Sequence, residues 1–231
     1  GTFSKPGEIS LTHRGVLFLD EFPEFHRDLL ESLRQPLEDG IVTVSRAKGI
    51  FTYPAKFILV AAMNPCPCGY ATHPTKACVC SSYQIQKYQR RISGPLLDRI
   101  DLHVEVPQLK YEKLASEKVA EESASIRERV EKAREIQRER FRKEQTRLRP
   151  SGFGEVNSEM NIPQIKKYCK IDQVGESLLR NAVDRMNLSA RGYHRILKLA
   201  KTIADLADEV NISKDHIAEA LQYRRKEESD F

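Results

Sequence analysis

The amino-acid sequence predicts an α/β layer followed by an all-α module. Three observations carry that expectation. Two apolar runs, one inside GVLFLDEF (15–22) and one at KFILVAAMN (56–64), show little alternation, as strands covered on both faces do. Between them, IVTVS, the polar turn RAKG and IFTYP read as a β-hairpin by alternation and turn chemistry. From residue 151 onward the apolar residues recur at helical spacing and no strand pattern follows.

Each element can be justified in order. Val16 to Leu19 form the first strand. Phe25, Leu29, Leu30, Leu33 and Leu37 then recur with helical period, and Gly40 ends that helix. The hairpin and the second buried strand follow. A Cys/Pro/Gly-rich stretch covers 65–81, a short helix is expected over 83–91, and SGP breaks it. Residues 101–106 alternate and predict a third strand, closed by Pro107. Residues 109–148 read as one charged helix with a thin apolar stripe (Leu114, Val119, Ile126, Val130, Ile136, Phe141), the pattern of a helix that bridges two domains. Helices are expected over 161–169, 174–187, 189–208 and 213–223, with Ser189 and Ser213 as N-caps. The domain boundaries implied are 1–108, 109–150 and 151–231.

Composition narrows the class of protein. The chain has 231 residues, 40% hydrophobic and 31% charged, enough for one large or two modest domains with a real core. No apolar run approaches the roughly 20 residues of a membrane span. GTFSKPGEIS has neither the basic nor the apolar region of a secretory leader, so a cytoplasmic location and no membrane partner are expected. The net charge is +5, and residues 107–150, with 13 Lys/Arg against 9 Asp/Glu, hold most of the excess. An anionic partner or a solvated helix face accounts for such a run.

The first strand ends abruptly in Asp20 and Glu21. Charge at the end of a buried strand is costly without a partner, so a cation is expected there. The alternative is a strand that reaches the surface and begins a polar loop. A strand ending in Asp-Glu has the shape of a Walker B motif: the first carboxylate helps hold Mg²⁺ on a nucleotide phosphate, and the second polarises the attacking water. Asn64 ends the second buried strand. In a parallel sheet it would lie beside the first and could orient the same water, or simply cap the next loop. Arg99, in GPLLDRID, follows a short helix and could act as an arginine finger on a γ-phosphate, or pair with Asp98 or Asp101. Arg191 opens a helix in the all-α module, where it could contact phosphate or lie on the helix surface.

Four of the five cysteines cluster. Cys66, Cys68, Cys78 and Cys80 form C-x-C, nine residues, C-x-C, and four thiolates from two short knuckles suit tetrahedral Zn²⁺. Free reduced thiols are the other reading, and His73 within the loop could replace one ligand. Cys169 falls in a helical pattern and reads as a small packed residue. At the hairpin tip, Arg46 and Lys48 could grip a nucleic-acid backbone, or be an ordinary solvated turn.

Five blocks carry a resemblance: GEISLTHRGVLFLDEFPEF, LLESLRQPLEDG, FILVAAMNPCPCG, SGPLLDRIDLHVEVP and LSARGYHRILKLAKTIADL. In this order they resemble the second half of the magnesium-chelatase-like AAA+ ATPases of the ComM family. The resemblance implies a partial AAA+ P-loop core, mostly parallel sheet with a β-hairpin insertion, then a long helix and an all-α lid domain. It implies Walker B at Asp20 and Glu21, sensor 1 at Asn64, the arginine finger at Arg99 and sensor 2 at Arg191. It also implies ATP with Mg²⁺ as cofactor, a ring, hexameric in the family, and DNA as partner, with hydrolysis driving helicase-type branch migration during natural transformation. Two alternatives are a chelatase-type subunit remodelling a metal-insertion partner and a non-enzymatic module binding zinc or nucleic acid. One departure matters: no G-x-x-x-x-G-K-[ST] occurs in these residues, so the phosphate-cradling loop is absent. A fragment or truncated product, inactive alone, is therefore expected.

Overall fold

The computed structural model describes residues 5–46, 49–107, 121–142 and 156–224. The chain divides into two compact units, Gly1–Ile100 and Asp101–Phe231. The first runs α1 (Glu8–Leu11), β1 (Val16–Leu19), a 3-10 turn (Phe22–Glu24), α2 (Arg27–Ser32), α3 (Arg34–Asp39), β2 (Ile41–Arg46), β3 (Gly49–Pro54), β4 (Ile58–Ala61), α4 (Ser82–Gln89) and α5 (Gly94–Leu97).

The two apolar strands meet as the sequence suggests. β1 and β4 pair in parallel, with Val16 opposite Ile58 and Leu19 opposite Ala61. Their covering differs from expectation. Leu17 and Leu19 pack on a core of Phe22, Leu30, Leu33, Ile92 and Leu96. On the other side Val16, Phe18, Ile58 and Val60 are exposed, Phe18 to 59% and Ile58 to 63%. Helices cover one face of this parallel pair, and no described residues bury the other.

The helix expected after β1 comes as two, α2 and α3. Pro36 is the physical reason: it lacks an N–H, and its ring would clash with the Ser32 carbonyl four residues back. Gly40, at φ 66°, ends α3 in the left-handed conformation that a glycine adopts without strain. The hairpin forms as expected, with β2 antiparallel to β3 from Ile41 opposite Pro54 to Arg46 opposite Gly49. Its two tip residues, Lys48 among them, lie outside the described residues.

The expected third strand is not present: residues 101–107 contain no strand. Leu102, Val104 and Val106 are exposed and find no ladder. The segment is tied instead to helical neighbours, His103 N–H donating to the Tyr223 carbonyl at 2.8 Å and Asp101 ion-paired with Arg195. Alternation alone could not distinguish a strand from an extended segment without a partner.

The second unit contains α6 (Ser123–Arg142), a 3-10 turn (Asn157–Glu159), α7 (Ile162–Tyr168), α8 (Gln173–Arg185), α9 (Ala190–Leu206) and α10 (Lys214–Gln222). Leu114 and Val119 lie outside the described residues. Within α6, Ile126 and Val130 are exposed, whereas Ala133, Gln137 and Phe141, each four residues apart, are buried. Phe141 joins a core with Met160, Ile165, Leu179, Ile196 and Ile217, so the second half of this helix packs within the helical unit. Cys169 lies in the same core, where burial pushes its thiol up to about 11.

Caps define the helix starts. Asn161 and Gln164 form a reciprocal capping box at α7, and Asp172 accepts from Gly175 N–H at α8. Ser189 accepts from Gly192 N–H at α9, while at α10 the His216 ring accepts from Ser213 N–H. Ile196 is fully buried at the centre of this unit. Its replacement by Ala is expected to cost about 2–5 kcal/mol, read from urea unfolding of the chain by circular dichroism. A loss below about 1 kcal/mol would show that this core can collapse around the gap.

Candidate functional site

The end of the parallel pair is tightly drawn together. Ala62 N–H donates to the Leu19 carbonyl, and Phe22 N–H donates back to the Ala62 carbonyl, both at 2.9 Å. Asp20 and Glu21 sit inside that crossing, their side chains exposed. Asp20 Oδ1 accepts the Glu21 N–H at 2.8 Å. Glu21 itself adopts φ 49° and ψ 43°, left-handed backbone without being glycine. Such backbone costs on the order of 1–3 kcal/mol and persists where its surroundings over-determine it, often at functional sites. Here the bond to Asp20 and the burial of Phe22 hold the turn, so the Glu21 backbone is fixed beside Asp20 and its side chain projects from that point.

Asn64 follows Ala62 by two residues, exposed, on the strand end adjacent to Asp20. Beneath it lies a residue that sequence reasoning missed. Tyr88 of α4 is 5% exposed, its hydroxyl turned toward the Asn64 backbone. Burial raises its pKa, and the nearby carboxylates of Glu24 and Glu21 add to this. Arg91 flanks it, 5.9 Å from the ring centre, donating to Glu24 Oε2 at 2.5 Å and to the Pro23 carbonyl at 3.2 Å. The available signal was the spacing of Ile85, Tyr88 and Ile92, which marks one helix face.

Arg99 lies just after α5 and is held in its own unit. Its Nη1 donates to the Pro95 carbonyl at 2.7 Å, and its Nε lies 2.9 Å from Glu38 Oε2. Glu38, far upstream in the chain, is thus an ion-pair partner of Arg99. Arg191 occupies the first turn of α9 in the other unit, on its exposed side. Arg46 closes β2, exposed, and nearby Ile50 is 73% exposed.

The four clustered cysteines converge. Cys66 Sγ lies 3.4 Å from Cys68 Sγ and 3.7 Å from Cys78 Sγ, and Cys68 Sγ is 3.5 Å from Cys78 Sγ. With Cys80, all four sulfur atoms lie within 4.8 Å of one another, and none is in a disulfide. Backbone N–H groups of Tyr70 and Val79 point at Cys68 and lower its thiol to about 6. The Cys80 N–H pulls Cys78 down as well, but desolvation and the adjoining thiols push it up to about 12. His73 does not join the thiols: its Nδ1 accepts from Lys76 N–H at 2.9 Å and Thr75 N–H at 3.2 Å, folding the loop tip.

Comparison with known proteins agrees with this architecture. Residues 1–114 match the family described as "Magnesium chelatase, subunit ChlI", and residues 120–224 match "Magnesium chelatase, subunit ChlI C-terminal". The chain belongs to the magnesium-chelatase-like family. Its fold is a partial AAA+ core followed by a helical C-terminal domain. Competence protein ComM of Haemophilus influenzae is 47% identical over 225 residues, which is 97% of this chain and 42% of that protein. YifB of Escherichia coli is 41% identical over 226 residues, again 97% and 42%. Magnesium-chelatase subunit ChlI of Euglena gracilis, at 24% over 213 residues, covers 92% of this chain and 52% of its own length. This family member thus spans 42% of the length of the two relatives it matches at above 40% identity. No helix among the described residues is long and apolar enough to cross a membrane.

Proposed function

We propose that this chain is part of a ring-forming, hexameric ATPase that couples ATP hydrolysis to DNA remodelling of the branch-migration kind, in the cytoplasm. The observation that carries the reading is the placement of Asp20 and Glu21 at the end of β1, beside the strand end from which Asn64 follows. In this reading Asp20 helps hold Mg²⁺ on the ATP phosphates, Glu21 polarises the attacking water and Asn64 orients it. Arg99 serves a nucleotide on a neighbouring subunit by exchanging Glu38 for phosphate, and Arg191 contacts phosphate from the helical module. The four cysteines hold a structural Zn²⁺. The phosphate cradle belongs to residues outside this chain, and the exposed face of Val16, Phe18, Ile58 and Val60 is where a further layer of the core would pack. The name of the Haemophilus relative, a competence protein, supports a role in natural transformation.

The test is ATP turnover by the longer protein carrying this chain, with and without branched DNA, beside the chain alone. Stimulated turnover by the first and none by the second is expected. Turnover without a DNA response would favour a chelatase-type remodeller, and no turnover would leave a binding module. Arg46 and Lys48 are the proposed grip on DNA. Arg46→Ala in the longer protein is expected to weaken DNA binding to a similar degree across sequences and to lower the salt slope by roughly one. An unchanged slope would remove the hairpin from the DNA path.

A further inference from the structure

The segment between β4 and α4, residues 62–81, contains no helix or strand, and Cys66 is its one buried residue. A loop of that length inside a compact unit is uncommon unless something fastens it. No apolar cluster does so here, yet four thiols from its two ends meet. We infer that Cys66, Cys68, Cys78 and Cys80 bind one tetrahedral Zn²⁺ that fastens this loop, and thereby fixes Asn64 and Tyr88 beside Asp20 and Glu21.

The geometry fits the metal. Zn–S bonds of about 2.3 Å place tetrahedral ligands roughly 3.8 Å apart. The three closest pairs stand at 3.4, 3.5 and 3.7 Å, far beyond the ~2.05 Å of a disulfide. An all-thiolate set is wrong for Mg²⁺ or Ca²⁺, which take oxygen. The surrounding backbone is arranged for sulfur ligands. Tyr70 and Val79 N–H groups serve Cys68, and the Cys80 N–H serves Cys78. Gly69, at φ 81°, makes the left-handed turn that brings the Tyr70 N–H round to Cys68. Such outer hydrogen bonds orient metal ligands and tune them.

The position gives the metal its role. Cys66 is two residues beyond Asn64, and Cys80 is two residues before the first residue of α4, whose capping box is built by Ser81 and Gln84. Tyr88, two turns into that helix, is buried with its hydroxyl toward the Asn64 backbone. Joining the two ends of the loop through one ion therefore joins a strand end to a helix at the Asp20–Glu21 site. This coupling rests on the ATPase reading above; the metal site does not.

The first measurement is metal content of the chain purified without chelator, with Co²⁺ substitution as a spectroscopic reporter. One zinc per chain and the absorption of tetrahedral tetrathiolate Co²⁺ are expected. The double variants Cys66→Ser/Cys78→Ser and Cys68→Ser/Cys80→Ser should each lose the metal. No stoichiometric metal with a featureless Co²⁺ titration would overturn the site. In the longer protein, chelation of the wild type is expected to lower ATP turnover about tenfold and readdition of Zn²⁺ to restore it. Full turnover with the zinc removed would overturn the coupling. Absence of turnover in the zinc-loaded wild type would instead count against the ATPase reading, and the metal content would still stand.

Discussion

Glu21→Gln in the longer protein is expected to lower ATP turnover by two orders of magnitude or more while leaving nucleotide binding and folding intact. The magnitude follows from the proposed role: a carboxylate that polarises the attacking water contributes roughly 10²–10⁴-fold. The selectivity follows from the structure. The Glu21 side chain is exposed, and its backbone N–H, not its carboxylate, makes the bond to Asp20. Gln matches Glu in shape, so the left-handed turn at φ 49° and the crossing between Leu19, Ala62 and Phe22 are left as they are. The proof is a pair of readings on one preparation, steady-state hydrolysis and thermal unfolding with and without nucleotide. Unchanged hydrolysis would remove Glu21 from the catalytic site, and a loss of hydrolysis accompanied by a collapsed melting temperature would mean that the turn, not the carboxylate, had been damaged. Asp20→Asn should differ in kind, weakening Mg²⁺-dependent nucleotide binding as well.

What the sequence made legible here was whatever depends on local pattern. The hairpin, the two apolar strands, the four C-terminal helices and the convergence of the cysteines all follow from spacing, turn residues and caps. What it hid depends on partners far along the chain. Alternation over 101–106 promised a strand, but a strand exists only with a ladder, and none of the described strands reaches it. The helix after β1 was broken by Pro36, whose effect a periodicity count does not register. Arg99 reaches Glu38, far upstream, a pairing that no local pattern marks. Tyr88 carries no local mark of its place, and only the fold buries it beside Asn64. The nature of α6 was hidden for the same reason: nothing in its charged pattern says that Gln137 reaches Asn157, whose N–H it accepts at 3.1 Å.

That same corner of the helical unit gives the largest expected loss of stability, for Asp205→Ala. Asp205 has its side chain fully buried, and it receives Lys201 Nζ at 2.6 Å, Asn157 Nδ2 at 2.7 Å and Arg140 through both guanidinium nitrogens. Lys201 is 2% exposed. Removing the carboxylate leaves one cation wholly and another largely buried without their anion, a change of about 3–5 kcal/mol. An asparagine side chain preserves the shape but not the charge, so Asp205→Asn is expected to fall between the wild type and Asp205→Ala. Acidity provides an independent reading. Burial works to raise the Asp205 carboxyl, and the hydrogen bonds from Arg140, Lys201 and Asn157 outweigh it, so its pKa lies below the ordinary value. A depressed folded-state value means that its contribution is complete above the unfolded-state value of about 4 and is lost as pH falls through the folded-state value. Urea unfolding of the chain at successive pH values should therefore show a decline below about pH 4 that is shallower in Asp205→Asn. Parallel declines in the two proteins would show that other carboxylates, not this buried one, set the acid limit of the helical unit.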